Sequence, residues 1–137
     1  MKKLMILSLI LMSFRPSGSN TLSLSNIKKE LVLQDIKWPG IVLRQIIVET
    51  GWLNCTNCCL NKNNLFGFQV KGKYLSYATW KDSIKYYKRW QTKWYKGGNY
   101  YDFLNCLWKH KNGVCARYAT NPMYTTILKN IKIDGIQ

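Results

Sequence analysis

The chain has 137 residues and carries 21 Lys and Arg against 6 Asp and Glu, a formal net charge of +15. That length accommodates one domain with one modest core rather than two. An apolar fraction of 47%, with 14% aromatic residues, excludes a disordered polycation. The carboxylates are few enough to weigh singly: Glu30, Asp35, Glu49, Asp82, Asp102 and Asp134.

At the N-terminus, Lys2 and Lys3 precede the apolar run "LMILSLILM", and "SFRPSGS" then brings turn-forming and small residues. This order predicts a secretory signal peptide over 1–19, cleaved after Ser19, with a single domain over 20–137. An uncleaved anchor is the alternative, although the apolar core is short for a bilayer span. Removal of Lys2, Lys3 and Arg15 would leave the remainder strongly cationic.

The next segments read mainly as helix. "NIKKELVLQDIKW" places Ile27, Leu31, Val32 and Ile36 at amphipathic spacing, and Pro39 ends that helix or opens the next at its first position. "PGIVLRQIIVETGW" is apolar almost all round, as a helix at the centre of a domain would be. Five asparagines and three cysteines between Leu53 and Asn64 mark a loop. "FGFQVKGKYLSY" alternates about Lys71-Gly72 in the manner of a short hairpin.

"TWKDSIKYYKRWQTKWY" is expected to be a helix opened by Thr79, with Ile84, Tyr87, Trp90 or Gln91, and Trp94 along its buried stripe. "YYDFLNCLWKH" reads as another helix. Asn121 and Pro122 read as N-cap and first residue of a last helix, "PMYTTILKNI". The fold class expected is mainly α (α+β), a helical domain with a short β-hairpin.

Cys55, Cys58, Cys59, Cys106 and Cys115 make an odd count. Disulfides that leave at least one thiol over are expected in an exported chain. A zinc site of four cysteines is formally possible, but His110 is the only histidine and there is no second CxxC. The spacing does not fix which cysteines pair.

Glu49 is the carboxylate that needs explaining. At about 100° per residue it shares a helix face with Val42, Gln45, Ile46 and Trp52, none of them basic, while Arg44 points elsewhere. Either the carboxyl is desolvated and held protonated to high pH, as a general acid requires, or it is a helix-end residue that reaches solvent or a distant lysine.

Three stretches in order, "RQIIVETGW", "NNLFGF" and "YATNPMYTTIL", give that residue its company. The chain resembles the glucosaminidase family of peptidoglycan hydrolases, glycoside hydrolase family 73, whose members carry A/Q-x-x-x-E-[ST]-G, N-L-F-G-[IMF] and Y-A-T-D-P-x-Y segments. The likeness runs from about Ile27 to Ile131. It implies a lysozyme-like, mainly helical fold and cleavage of the β-1,4 bond after N-acetylglucosamine in bacterial wall glycan.

Carried over by position, the resemblance makes Glu49 the catalytic general acid and Tyr118 the tyrosine that faces it. Asn64, Phe66, Asn121 and Tyr124 become candidates for substrate contact. Asn64 would hold its loop or touch substrate, Phe66 would pack beside the acid or simply fill the core, and Tyr124 suits a structural place better. Asn121 departs from the family's aspartate, which leaves helix capping intact but puts any sugar contact in doubt.

The second departure is the missing partner acid, since no Asp or Glu lies between Glu49 and Asp82. Asp82 fits a capping box with Thr79, and Asp102 fits the first turn of a helix. The expectation is therefore a hydrolase with one essential carboxylate, assisted by the substrate's N-acetyl group or by water. No metal or cofactor is expected. The partner would be peptidoglycan glycan strands rather than nucleic acid, and the chain a monomer without a stable membrane anchor, secreted or periplasmic. A cationic module that binds wall glycan or nucleic acid without chemistry is the alternative, since interleaved Lys and aromatic residues also suit nucleic acid.

Overall fold

The structure is a computed structural model that describes residues 19–137, so the predicted signal segment lies outside the described residues but for Ser19. Five helices account for most of the ordered elements: α1 (Leu24–Leu33), α2 (Pro39–Thr50), α3 (Trp80–Trp94), α4 (Tyr100–Asn105) and α5 (Tyr124–Asn130). A 3-10 turn (Cys59–Lys62) and two antiparallel pairs complete them, β1 (Gln69–Val70) with β2 (Lys73–Tyr74), and β3 (Trp108–Lys109) with β4 (Cys115–Ala116). The chain is thus a mainly helical α+β domain. No helix among the described residues is long and apolar enough to cross a membrane.

Helix α2 is the centre of the domain. It buries Val42, Leu43, Gln45, Ile46, Ile47 and Thr50, and packs against α1, α5 and the 3-10 turn. Each aliphatic side chain so enclosed contributes about 1.5–3 kcal/mol. Pro39 stands at its first turn, where a missing N–H costs nothing.

Helix α1 is shorter than its apolar spacing predicts and stops at Leu33 rather than near Trp38. Asp35 takes a left-handed conformation (φ 52°). The Asp35 N–H donates to Val32 O and the Ile36 N–H to Leu31 O, the paired bonds of a Schellman cap, with Leu31 and Ile36 buried.

The hairpin about Lys71-Gly72 forms as expected, in register Gln69 to Tyr74 and Val70 to Lys73. Both turn residues have positive φ, as a two-residue hairpin turn requires. Helix α3 starts with the predicted reciprocal box between Thr79 and Asp82. Its buried stripe runs through Ile84, Tyr87 and Gln91, while Trp90 and Trp94 are only half-buried.

Two further expectations need correction. The helix expected over "YYDFLNCLWKH" ends at Asn105, because Cys106 turns extended and bonds to Cys115 across a second hairpin, β3–β4. The last helix begins at Tyr124 rather than Pro122. Asn121 caps no helix: its Oδ1 accepts the Met123 N–H at 2.9 Å in a turn ahead of α5.

The other disulfide joins Cys55 to Cys58 in the loop after α2, and Cys59 is the buried free thiol. The odd count is thereby resolved.

Candidate active site

Glu49 lies in the last turn of α2, and its neighbours stop the helix there. The Thr50 hydroxyl, fully buried, donates to Ile46 O at 2.7 Å and accepts the Leu53 N–H at 3.2 Å. Gly51 then adopts a left-handed conformation (φ 53°). The result is a carboxyl carried by a buried helix but projecting where the helix gives way to loop.

The segment Asn64–Phe68 is folded over that carboxyl. Asn64 is fully buried, and its side chain accepts the N–H groups of Phe66 and Phe68 at 3.3 and 3.2 Å. Its Nδ2 donates to the carbonyl oxygens of Phe68 and Leu75 at 2.8 and 3.0 Å, tying the loop to the base of the β1–β2 hairpin. Asn64 is a loop clamp, with both ends of its side-chain amide engaged by the backbone between Phe66 and Leu75.

Phe66 is also buried, stacked on Tyr87 with ring centroids 4.1 Å apart. Gly67 follows at φ 67°, and a Cβ built there would stand 2.9 Å from Glu49 Oε2. Only glycine meets both demands at this position.

The third stretch closes the other side. Tyr118 donates its hydroxyl hydrogen bond to Phe66 O at 3.0 Å and stacks on Tyr124 at 5.7 Å. Tyr124 is buried, and its hydroxyl donates to Glu49 Oε1 at 3.1 Å. The structure therefore brings Tyr124 to the carboxylate directly, whereas the Tyr118 hydroxyl is spent on the backbone beside it. Asn121 is exposed in the adjoining turn.

Glu49 lines a cleft of about 440 Å³ together with Phe66, Gly67 and Phe68 of the second stretch, Gln69 just after it, and Tyr118 to Thr120 of the third. Trp90 of α3 and Leu107 beside β3 complete the lining. Sequence reasoning placed neither in a site by name. Trp90 was legible as one member of an apolar stripe and of an aromatic run that could offer stacking faces to sugars, and Leu107 sits in the hairpin that reads as helix.

Burial pushes the Glu49 carboxyl above its ordinary range, and the Tyr124 hydrogen bond opposes this only in part. Among the described residues no salt bridge involves it. Burial, and then other groups including the Glu49 charge, hold Tyr118 and Tyr124 well above the usual phenol range, so both remain neutral donors.

The remaining five carboxylates lie outside the cleft. Glu30 pairs with Lys81 at 3.5 Å, and Asp35 with Lys37 and Lys88. Asp82 is held low by the Thr79 hydroxyl and Lys85 within the cap of α3. Asp102 occupies the first turn of α4, and Asp134 is exposed.

The family model for mannosyl-glycoprotein endo-beta-N-acetylglucosaminidase, named Glucosaminidase, matches residues 26–134, most of the chain. The chain belongs to the Glucosaminidase family. No curated protein and no solved structure matches it significantly. Membership makes it a member of a peptidoglycan-type glycosidase family, with a glycan as the implied substrate class. The stretches that surround the cleft all fall within the matched residues.

Proposed function

We propose that this Glucosaminidase-family protein is a secreted peptidoglycan hydrolase that cleaves the β-1,4 glycosidic bond after N-acetylglucosamine, with Glu49 as its general acid. One observation carries the reading: of six carboxylates, Glu49 alone lines the cleft, desolvated and without a cationic partner. Such a carboxyl holds its proton into the pH range where a glycosidic oxygen needs one. Secretion is inferred from the N-terminal charge and apolar pattern, and the two disulfides suit an oxidising compartment.

In the reaction, the Glu49 proton passes to the glycosidic oxygen as its bond to the sugar carbon breaks, and Glu49 is left as carboxylate. The Tyr124 hydrogen bond strengthens at that moment, because a donor binds an ionised acceptor about twice as tightly as a neutral one. With no second carboxylate in the cleft, the sugar carbon is taken by the substrate's own N-acetyl oxygen or by water. Where the N-acetyl oxygen has bonded to that carbon, a water then opens the cyclic intermediate from the Glu49 side and gives Glu49 its proton; a water that attacks directly from the opposite face releases its proton to solvent, from which Glu49 is reprotonated. The aromatic faces of Trp90 and Phe68 offer an apolar surface for the pyranose rings, and the chain's net positive charge favours encounter with anionic wall polymers.

The test is digestion of purified peptidoglycan, with mass analysis of the new reducing ends. N-acetylglucosamine ends released by wild type and not by Glu49→Gln support the proposal. N-acetylmuramic ends would make the protein a muramidase, and glycan binding without new ends would make it a cationic binding module.

A further inference from the structure

The segment from Tyr118 to Thr120, which lines the Glu49 cleft, also lines a second hollow of about 480 Å³ whose other lining residues are Val114, Cys115 and Arg117. The two hollows adjoin along this one piece of backbone. Glu49 stands in the first and Arg117 in the second.

The backbone at Arg117 is fixed from both sides. Before it, Cys115 is bonded to Cys106, and Ala116 O accepts the Leu107 N–H at 2.7 Å. After it, the Tyr118 N–H donates to Leu104 O at 2.9 Å and the Tyr118 hydroxyl to Phe66 O at 3.0 Å. Tyr118 is thus committed to the domain, whereas Arg117 is exposed.

The other two arginines among the described residues are engaged: Arg44 Nε donates to Ile131 O at 3.0 Å, and Arg89 lies over the Tyr86 ring. No salt bridge among the described residues reaches Arg117. The sequence around it supplies no acid, since no Asp or Glu occurs between Asp102 and Asp134. Its planar guanidinium fork, which suits a carboxylate through two parallel hydrogen bonds, is left for an anion from outside the chain.

We infer that Arg117 is a specificity-determining residue that binds a carboxylate on the lactyl or peptide substituent of an N-acetylmuramic residue beside the scissile bond. The inference deepens the proposed hydrolase reading and rests on it for its substrate. The two sugars alternate in wall glycan, so an N-acetylglucosamine held at Glu49 always has an N-acetylmuramic neighbour. A substituent leaving that neighbour meets the adjoining hollow, whose volume suits a group of small-molecule size. A neutral polymer of N-acetylglucosamine would fill the cleft and leave the guanidinium without its anion. Arg117 therefore selects by charge what the sugar ring alone does not distinguish.

Three soluble, uncrosslinked substrates test this. They are strands bearing peptide stems, strands whose stems an amidase has removed to leave a free lactyl carboxylate, and stem-bearing strands with every carboxylate capped as a methylamide. Arg117→Gln should raise KM about three- to tenfold on the carboxylated strand that supplies the anion, with kcat unchanged. On the capped strands it should match wild type. A rise on the first substrate assigns the anion to the stem, and a rise on the second assigns it to the lactyl group. Arg117→Lys should recover only part of the loss, because an ammonium lacks the paired donors.

Lys29→Gln removes the same charge from the exposed face of α1, which lines neither hollow, and should leave KM unchanged. Equal KM for wild type and folded Arg117→Gln on both carboxylated strands overturns the inference, as does a rise of the same size on capped strands or in Lys29→Gln. Calorimetric binding of the same strands to Glu49→Gln, with and without Arg117→Gln, reads the site in the absence of turnover and should show the same three- to tenfold loss. A wild type that cleaves no strand sinks the hydrolase reading, and the binding comparison still decides Arg117.

Discussion

The backbone at Gly67 lies so close to the Glu49 carboxyl that a methyl group there would stand 2.9 Å from Oε2. Gly67→Ala is therefore expected to displace the acid as well as to strain a backbone held at φ 67°. The backbone penalty is about 1–3 kcal/mol, and a misplaced catalytic group costs roughly 100-fold in turnover. Gly72 supplies the control, at φ 75° with nothing within 4 Å. Gly72→Ala should lose comparable backbone stability and keep its turnover; equal activity losses at both sites would refute the contact.

Glu49→Gln should stabilise the protein at neutral pH. Burial raises the carboxyl above its ordinary value near 4.5, so the folded state favours the protonated form. The stabilising contribution of wild-type Glu49 is fully present below that ordinary value and is lost as pH rises through the raised one. The neutral amide avoids that loss. In urea unfolding, the advantage of Glu49→Gln should appear at pH 7 and fade as the pH drops below about 4.5. A variant less stable than wild type at pH 7, or an advantage that ignores pH, contradicts the desolvated acid.

The Cys106–Cys115 bond closes the hairpin that brings Leu107 to one side of the cleft and leads into Tyr118 on the other. Replacing both cysteines by serine removes roughly 2–3 kcal/mol of unfolded-state constraint. Because the hairpin lines the cleft without touching Glu49 chemistry, the activity loss should fall mainly on KM, about tenfold, in steady-state kinetics. Loss confined to kcat would place the hairpin's influence on the acid itself.

Much of this site was legible in the sequence because it is written in short-range signals. Glu49 on an apolar helix face and the Thr79–Asp82 box each depend on residues within one or two turns. Those signals survive folding unchanged. The end of α1 was hidden because its left-handed residue is Asp35 rather than glycine. The β3–β4 hairpin was hidden because "YYDFLNCLWKH" has helical composition, and a bond to Cys115 nine residues on overrides it.

Long-range pairing hid more of the chemistry. Asn64 reads equally as loop clamp or sugar ligand until its four bonds to the Phe66–Leu75 backbone are seen. Tyr124 and Glu49 are 75 residues apart, and nothing local predicts that the later tyrosine of the motif, not Tyr118, holds the carboxyl. Gln45 was visible as a polar residue on Glu49's face, but its partner Tyr87 lies 42 residues away on another helix.

The most direct test of the account compares turnover of purified peptidoglycan by wild type, Glu49→Gln, Asp82→Asn and Asp102→Asn. Loss of the cap carboxylate at Asp82 should lower stability by about 1 kcal/mol and leave turnover within a few-fold of wild type, as should Asp102→Asn. Glu49→Gln alone should lose roughly 100-fold or more, as befits a general acid. A fall in folded Asp82→Asn or Asp102→Asn as deep as that of Glu49→Gln would contradict a mechanism with one essential carboxylate.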